Sequence, residues 1–354
     1  MLCTRSRGGM RSVVEAYRKC GLFDRRQMCL LYTHDEGSLF RRLGIALWTL
    51  LRFIRMLLRG KVTLVHAHIS MRGSFWRKSV FIVLAQLFRV PVIGHLHGSD
   101  FEGFFLSQPL WLRRMIKRRL EQMTMVLVLG ESWRRFIVRI APATRVMVLR
   151  NSVRVPNTQA SHAERGTIDL LFLGIVGHRK GVYDLLEAFA IAHSHCPTLR
   201  LTLAGNGEIE KAIRAAATLG ISEYVTFPGW LDGEAKNRLL QSSDIYVLPS
   251  RNEGLPISII EAMAWGLPII STDVGAIAEL VRHGVDGLIV SPGATGPLSH
   301  ALLQLANSRE LRLRMGKSGR QRVATDFSED VVLPRLEKLY DDIQLDHQSA
   351  SRGG

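Results

Sequence analysis

The stretch RNEGLPISIIEAMAWGLPIIST, residues 251 to 272, decides how this chain folds and what it is built to hold. Pro256 suits the first position of a helix, where its missing N–H costs nothing, and Gly266 suits the C-terminal stop, so the spacing predicts a helix over 256 to 265. Glu253 then stands in the loop before the helix. Glu261 stands inside it, roughly 7 Å along the axis from Pro256 at about 1.5 Å rise per residue. The first-turn amides, which lack intrahelical acceptors, and the positive end of the helix dipole face the mouth of that loop, where they suit phosphate oxygens. A carboxylate beside them accepts paired hydrogen bonds from ribose or sugar hydroxyls.

Outward from this stretch, short β-rich runs (LLFLG, LRLTLAG, YVTFPG, DIYVLP, PIIST, GLIV) alternate with helical segments through the second half of the chain. CLLYT, VTLVHAH, VPVIGHLHG, MVLVLG and RVMVLRNSV repeat the theme in the first half. Such alternation predicts parallel sheets covered by helices on both faces, with ligands at the carboxyl ends of the strands. The expected fold is therefore α/β, with two doubly wound Rossmann-like domains facing across a cleft. The polar stretch VRVPNTQASHAERGT, 153 to 167, reads as the boundary. This gives a first domain over residues 1–160, a second over 161–327, a last helix over 328–345 and a disordered tail over 346–354. The opening MLCT leaves room for only a very short first strand, unless residues are missing from the chain.

The pattern from Glu253 through Gly254, Leu255, Pro256, Glu261, Ala262, Met263, Gly266, Pro268, Asp273, Gly275 and Glu279 resembles the signature of retaining GT-B-fold glycosyltransferases of sequence family 4. LLFLGIVGHRKGVYDLLEAFA (170 to 190), LTLAGNGE (201 to 208), VTFPGW (225 to 230) and DIYVLPS (244 to 250) precede it in the family's order. The resemblance implies that a hexose moves from a UDP- or GDP-sugar to a lipid-linked saccharide with retention of configuration, as in cell-surface polysaccharide or lipopolysaccharide synthesis. It places the donor against Gly8, Gly9, Arg179, Lys180, Glu253, Gly254, Leu255, Pro256 and Glu261. Trp230 is expected to pack the nucleotide base or to fill the core. Catalytic roles fall to His97, which matches the family histidine near the donor sugar, and to Lys180 and Glu253; Asp100 lies close by without an assigned role. In the family an arginine follows the first glycine of the Lys180 segment, and here Ile175 follows Gly174, so Arg179 is the candidate second cation. No D-x-D motif is present, so no metal is expected and the charge on the leaving diphosphate falls to Lys180, Arg179 and helix amides. The nucleotide sugar is a co-substrate, and no other cofactor is implied.

A rival reading uses the two H-x-H pairs, His66 with His68 and His95 with His97. Alternate residues on a strand point the same way, so each pair could chelate zinc in a hydrolase. Against it, the chain has no H-E-x-x-H. A donor-binding or nucleic-acid-binding relic, without activity, is the second alternative.

Charge points to a partner. Of the net +16, residues 1 to 165 carry 29 basic and 9 acidic side chains, and the remainder 18 and 22. LFRRLGIALWTLLRFIRMLLRG (39 to 60) gathers Arg41, Arg52, Arg55 and Arg59 into one angular band. WLRRMIKRRLEQM (111 to 123) sets Leu112, Met115, Ile116, Leu120 and Met123 opposite Arg113, Arg114, Lys117 and Arg118. Helices of this kind lie on anionic membrane surfaces. Aromatic residues make up only 7% and no stacking motif interleaves with the arginines, so no nucleic acid partner is expected. SMRGSFWRKS (70 to 79) offers Arg72, Arg77 and Lys78 to the acceptor. No run of 18 apolar residues occurs, the four cysteines lack metal or disulfide spacing, and MLCTRSRGG lacks the apolar core of a leader. The expected location is cytoplasmic, peripheral on the inner face of the cell membrane; the sequence leaves the oligomeric state open.

Overall fold

The computed structural model describes residues 1–5, 8–35, 37–160 and 166–352. The chain divides into two compact units, Met1–Ser152 with Glu329–Gly354, and Val153–Ser328.

In the first unit six strands, β1 (Leu2–Cys3), β2 (Leu31–Tyr32), β3 (Val65–Ile69), β4 (Val92–Leu96), β5 (Met125–Val128) and β6 (Val146–Val148), form one sheet in the order β2-β1-β3-β4-β5-β6. All pairs are parallel. The first strand is indeed short, two residues held in register with Leu31–Tyr32 and Ala67. β3 and β4 are buried at every position, as strands covered on both faces must be. Their apolar side chains pack with Phe75, Ile82, Phe101, Ile116, Leu120 and Ile137 from the covering helices.

The second unit repeats the plan with β7 (Ile168–Leu173), β8 (Leu199–Ala204), β9 (Val225–Gly229), β10 (Ile245–Leu248), β11 (Ile269–Thr272) and β12 (Gly287–Val290). Their order is β12-β11-β10-β7-β8-β9, again all parallel. This is a doubly wound sheet whose strand order reverses between β7 and β10, and ligands bind such sheets at the reversal. The corresponding reversal in the first unit lies between β1 and β3.

Two boundaries differ from the sequence reading. The division falls at Val153, not after residue 160, because the Val153 N–H donates to the Phe327 carbonyl, that of Ala160 donates to Trp265, and the Arg320 guanidinium donates to the Thr158 and Pro156 carbonyls. Residues 161 to 165 of the expected linker lie outside the described residues. The last helix runs Glu329–Arg352, so most of the expected disordered tail is helical; no glycine or proline interrupts it after Pro334 until Gly353, which with Gly354 lies outside the described residues. That helix belongs to the first unit, where Arg25 pairs with Glu337 and Arg26 with Asp341. Among the described residues no helix is long and apolar enough to cross a membrane.

Candidate functional site

In the second unit, the turn after β7 and the loop after β10 meet where the strand order reverses. Lys180 closes the first of these, a single helical turn over His178–Lys180. Gly181 then adopts φ +69°, and a Cβ there would lie 1.9 Å from the Pro249 carbonyl oxygen, so only glycine lets this turn rest on the end of β10. The Arg251 N–H donates to the Arg179 carbonyl at 2.9 Å, and the Arg179 guanidinium returns a bond to the Asn252 carbonyl at 3.1 Å. Arg251 in turn pairs with Asp184 at 2.8 Å.

Glu253 sits at the bottom of this contact, 6% exposed. Its carboxylate accepts from the Lys180 ammonium and from the Ser250 hydroxyl, the latter at 2.7 Å. Burial pulls the Lys180 pKa below its ordinary range, and the Glu253 carboxylate opposes that shift. Gly275 closes over the loop at φ +62°; a Cβ there would meet the Glu253 carbonyl oxygen at 2.0 Å. The chain then enters the helix Ile257–Ala264 through Pro256, which stands just before the first helical residue in extended conformation. The amides of Ile257 and Ser258 thus open onto the Glu253 loop without intrahelical acceptors. Gly254, Leu255 and Pro256 are buried and shape this entry. Glu261, one turn into the helix, pairs with Lys236 on the helix Gly233–Ser242.

The structure thus brings Arg179, Lys180, Glu253, Gly254, Leu255, Pro256 and Glu261 together at the carboxyl ends of the central strands β7 and β10. Ile175 follows β7 with 49% of its surface exposed. Trp230, just past β9, is half-buried and not a core tryptophan. Sequence reasoning missed Lys236 and Ser250. Lys236 lies 25 residues from Glu261 on another helix, so only the tertiary fold joins them; Ser250 sits three before Glu253, a spacing that signals nothing outside a helix.

Gly8, Gly9 and His97 belong to the first unit. Gly8 precedes the helix Gly9–Lys19 at φ +146°, and nothing lies within 4 Å of a Cβ built on either glycine. Among the described residues no cap side chain occupies that helix start, and the open backbone suits an anion. His97 follows β4, its N–H donating to the Ile69 carbonyl at 2.7 Å. Asp100 caps the helix Phe101–Leu106 by accepting from the Gly103 N–H at 3.0 Å, the role that sequence left open.

The four histidines cluster on one face of β3 and the end of β4, where parallel register sets His68 opposite His95. His68 Nδ1 lies 2.8 Å from His97 Nε2, His66 Nε2 3.3 Å from His95 Nδ1, and His66 Nδ1 2.6 Å from the Tyr340 hydroxyl. Ligand atoms of His66, His68 and His95 lie within 4.8 Å of one another, close enough to share an ion. Besides one another they meet Tyr340, the Tyr17 ring at 6.2 Å from His68, and the Leu149 backbone beside His95. Burial drives His95 down to about 3 and the other three well below their ordinary range, so all four rings are neutral at pH 7. Lys78, expected on the acceptor side, is fully buried. Its ammonium reaches the Ser74 hydroxyl at 3.0 Å and the Met10 sulfur at 3.9 Å, and burial lowers its pKa to about 8.

Two family models match the chain in tandem, "Glycosyltransferase Family 4" over residues 12–155 and "Glycosyl transferases group 1" over 156–322. The amylovoran biosynthesis glycosyltransferase of Erwinia amylovora is 25% identical over 253 residues, 69% of this chain and 62% of its own length. The alpha-D-kanosaminyltransferase of Streptomyces kanamyceticus is 28% identical over 328 residues, 85% of this chain and 83% of its own. Among solved structures, HepE of Anabaena in complex with UDP-glucose shares the fold with a TM-score of 0.75, at 16% identity over 96% of this chain and 98% of that one.

Proposed function

The chain belongs to the family 4, group 1 glycosyltransferases, and from that premise we propose that it moves a hexose from a UDP- or GDP-sugar to a lipid-linked saccharide, with retention of configuration. The observation that carries this reading is the meeting of Lys180, Glu253 and the start of the helix Ile257–Ala264 at the strand reversal of the second unit. A diphosphate at that mouth finds two free helix amides, Lys180, and Arg179 on the adjoining turn. Glu261 accepts hydrogen bonds from the ribose hydroxyls in exchange for its partly exposed pair with Lys236. Glu253 holds the Lys180 ammonium in place and faces the sugar. As the bond to the sugar breaks, negative charge grows on the diphosphate, and Lys180 binds it more tightly than it binds the ground state. His97 is the histidine that the family resemblance assigns to the donor sugar; its ring is neutral and its Nε2 lies 2.8 Å from His68 Nδ1. No step calls on a metal.

The Erwinia relative's role in amylovoran synthesis supports a polysaccharide context, and the UDP-glucose complex of HepE supports a UDP-sugar donor. The basic surplus of the first 165 residues supports work at the cytoplasmic face of an anionic membrane. A thermal-shift screen against UDP- and GDP-sugars, with and without chelator, tests the donor assignment. One nucleotide should stabilise the chain whatever the chelator, by about 2.7 kcal/mol at a hundredfold excess over Kd. Stabilisation only by zinc would point to the hydrolase, and none by any nucleotide would refute donor binding.

A further inference from the structure

We propose that the helix Leu39–Leu58 docks the chain on an anionic lipid bilayer by inserting an outward-facing apolar ridge. The proposal rests on the membrane-face reading above and says which element makes the contact.

This helix is apolar on two faces. Inward, Thr49, Phe53 and Leu57 are buried, with Leu50 and Met56 packed beside them against the first unit's core. Outward, Phe40 is 86% exposed, Leu43 58%, Leu47 58%, Trp48 61% and Leu51 58%. Their steps of three, four, one and three residues keep them on one side of the helix. A helix with one packed face ordinarily turns polar side chains to water. A contiguous exposed apolar ridge marks a surface that something else covers.

Charge says what covers it. Arg41, Arg52, Arg55 and Arg59 fill the sector between ridge and core face, all exposed. The Arg52 guanidinium lies 5.5 Å from the centre of the Trp48 ring. From Gly37 through Ser99 the chain carries ten lysines and arginines and no aspartate or glutamate; Arg41 reaches back to Asp35 at 3.3 Å, and no side chain of the segment itself neutralises the others. A second copy meeting the same ridge about a two-fold axis would set arginines against arginines. An anionic bilayer instead offers hydrocarbon to the ridge and phosphates to the flank, with tryptophan at the boundary between them. The helix Leu110–Glu121 is the weaker anchor. Its Arg113 is spent on the Gln108 and Leu106 carbonyls, Lys117 pairs with Glu121, and Met115, expected on its packed face, is 40% exposed.

Flotation of the full chain with phosphatidylcholine vesicles, with and without about one-third phosphatidylglycerol, tests this at physiological salt. The wild type should float with the anionic vesicles. Leu47→Glu with Leu51→Glu should lower its partition at least about tenfold, and Arg52→Ala with Arg55→Ala should do the same, since each surface cation contributes about fivefold. These side chains face water, so far-ultraviolet circular dichroism should be unchanged. Brominated lipid should quench the wild type more than Trp48→Phe. The inference is overturned if the wild type fails to float, if the Leu47 and Leu51 variant floats as well as the wild type, or if that variant dissociates a lipid-free dimer, which would give the ridge to a second copy. Nucleotide-induced stabilisation, read in parallel, reports on the second unit. Its loss alone leaves the docking inference standing, and loss of flotation alone leaves the donor site standing.

Discussion

Lowering the pH from 6.5 to 5 should destabilise the first unit steeply, because His66, His68 and His95 are buried there as neutral rings beside the half-buried His97. The sign follows from linkage. Each folded-state pKa lies below the unfolded value of about 6.5, so the unfolded chain takes up protons that the native state refuses, and stability falls as pH drops through this window. For His95, held down to about 3, the loss is about 1.4 kcal/mol per pH unit, or about 2 kcal/mol at pH 5. His66, His68 and His97 act with the same sign, so the observed slope should exceed that of one ring. Lys78, lowered only to about 8, and the depressed carboxylates Asp286 and Asp341 titrate outside this window, whereas the buried N-terminal ammonium, lowered to about 6, and His34 and His193, lowered by burial, act within it with the same sign, so the His95 variant is what assigns the slope. Urea melts followed by tryptophan fluorescence provide the assay, since Trp48, Trp76, Trp111 and Trp133 lie in the first unit. His95→Leu should reduce the slope by about 1.4 kcal/mol per pH unit. A stability that stays flat from pH 7.5 to 5, or a slope unchanged in His95→Leu, would refute the reasoning.

Lys180→Ala should lower kcat by more than it raises KM, roughly tenfold or beyond, as loss of a contact that strengthens in the transition state requires; steady-state kinetics separates the two. Ile175→Arg should change turnover by less than about threefold if Arg179 already supplies the second cation, and a large gain in the same assay would show that the departure from the family pattern impairs this chain. Lys78→Met should stabilise the chain at pH 7 by about 3 kcal/mol, the cost of lowering a buried ammonium from 10.5 to about 8. Because that folded pKa lies below the unfolded one, the wild type should gain stability from pH 8 to 10.5, and the variant should not; urea melts across that range check both.

Much of the fold was legible because parallel strands write themselves as short continuous apolar runs between helices, and every such run quoted from the sequence corresponds to a strand. The stretch from Glu253 to Glu261 was legible for a local reason, proline before a helix and glycine after it. Contacts made between distant segments were not. Lys236 meets Glu261, and Tyr340 meets His66, only after the sheet has set the helices side by side. The H-x-H pairs suggested contacts within each strand, and the fold adds hydrogen bonds between strands, His66 to His95 and His68 to His97. The arginine band on residues 39 to 58 was visible in sequence. The sequence reading did not separate its two apolar faces, because periodicity records that a side chain is apolar and not which neighbour covers it.

The central claim is that the Glu253 to Glu261 loop and helix grip a nucleoside diphosphate. Isothermal titration of UDP and GDP into the chain in the presence of EDTA, beside the Glu261→Ala variant, tests it most directly. The account predicts binding of one nucleotide by the wild type and a loss of about 1.5 to 3 kcal/mol in the variant, roughly a ten- to hundredfold weaker Kd. Equal affinity in the two proteins, or no binding of either nucleotide, would contradict it.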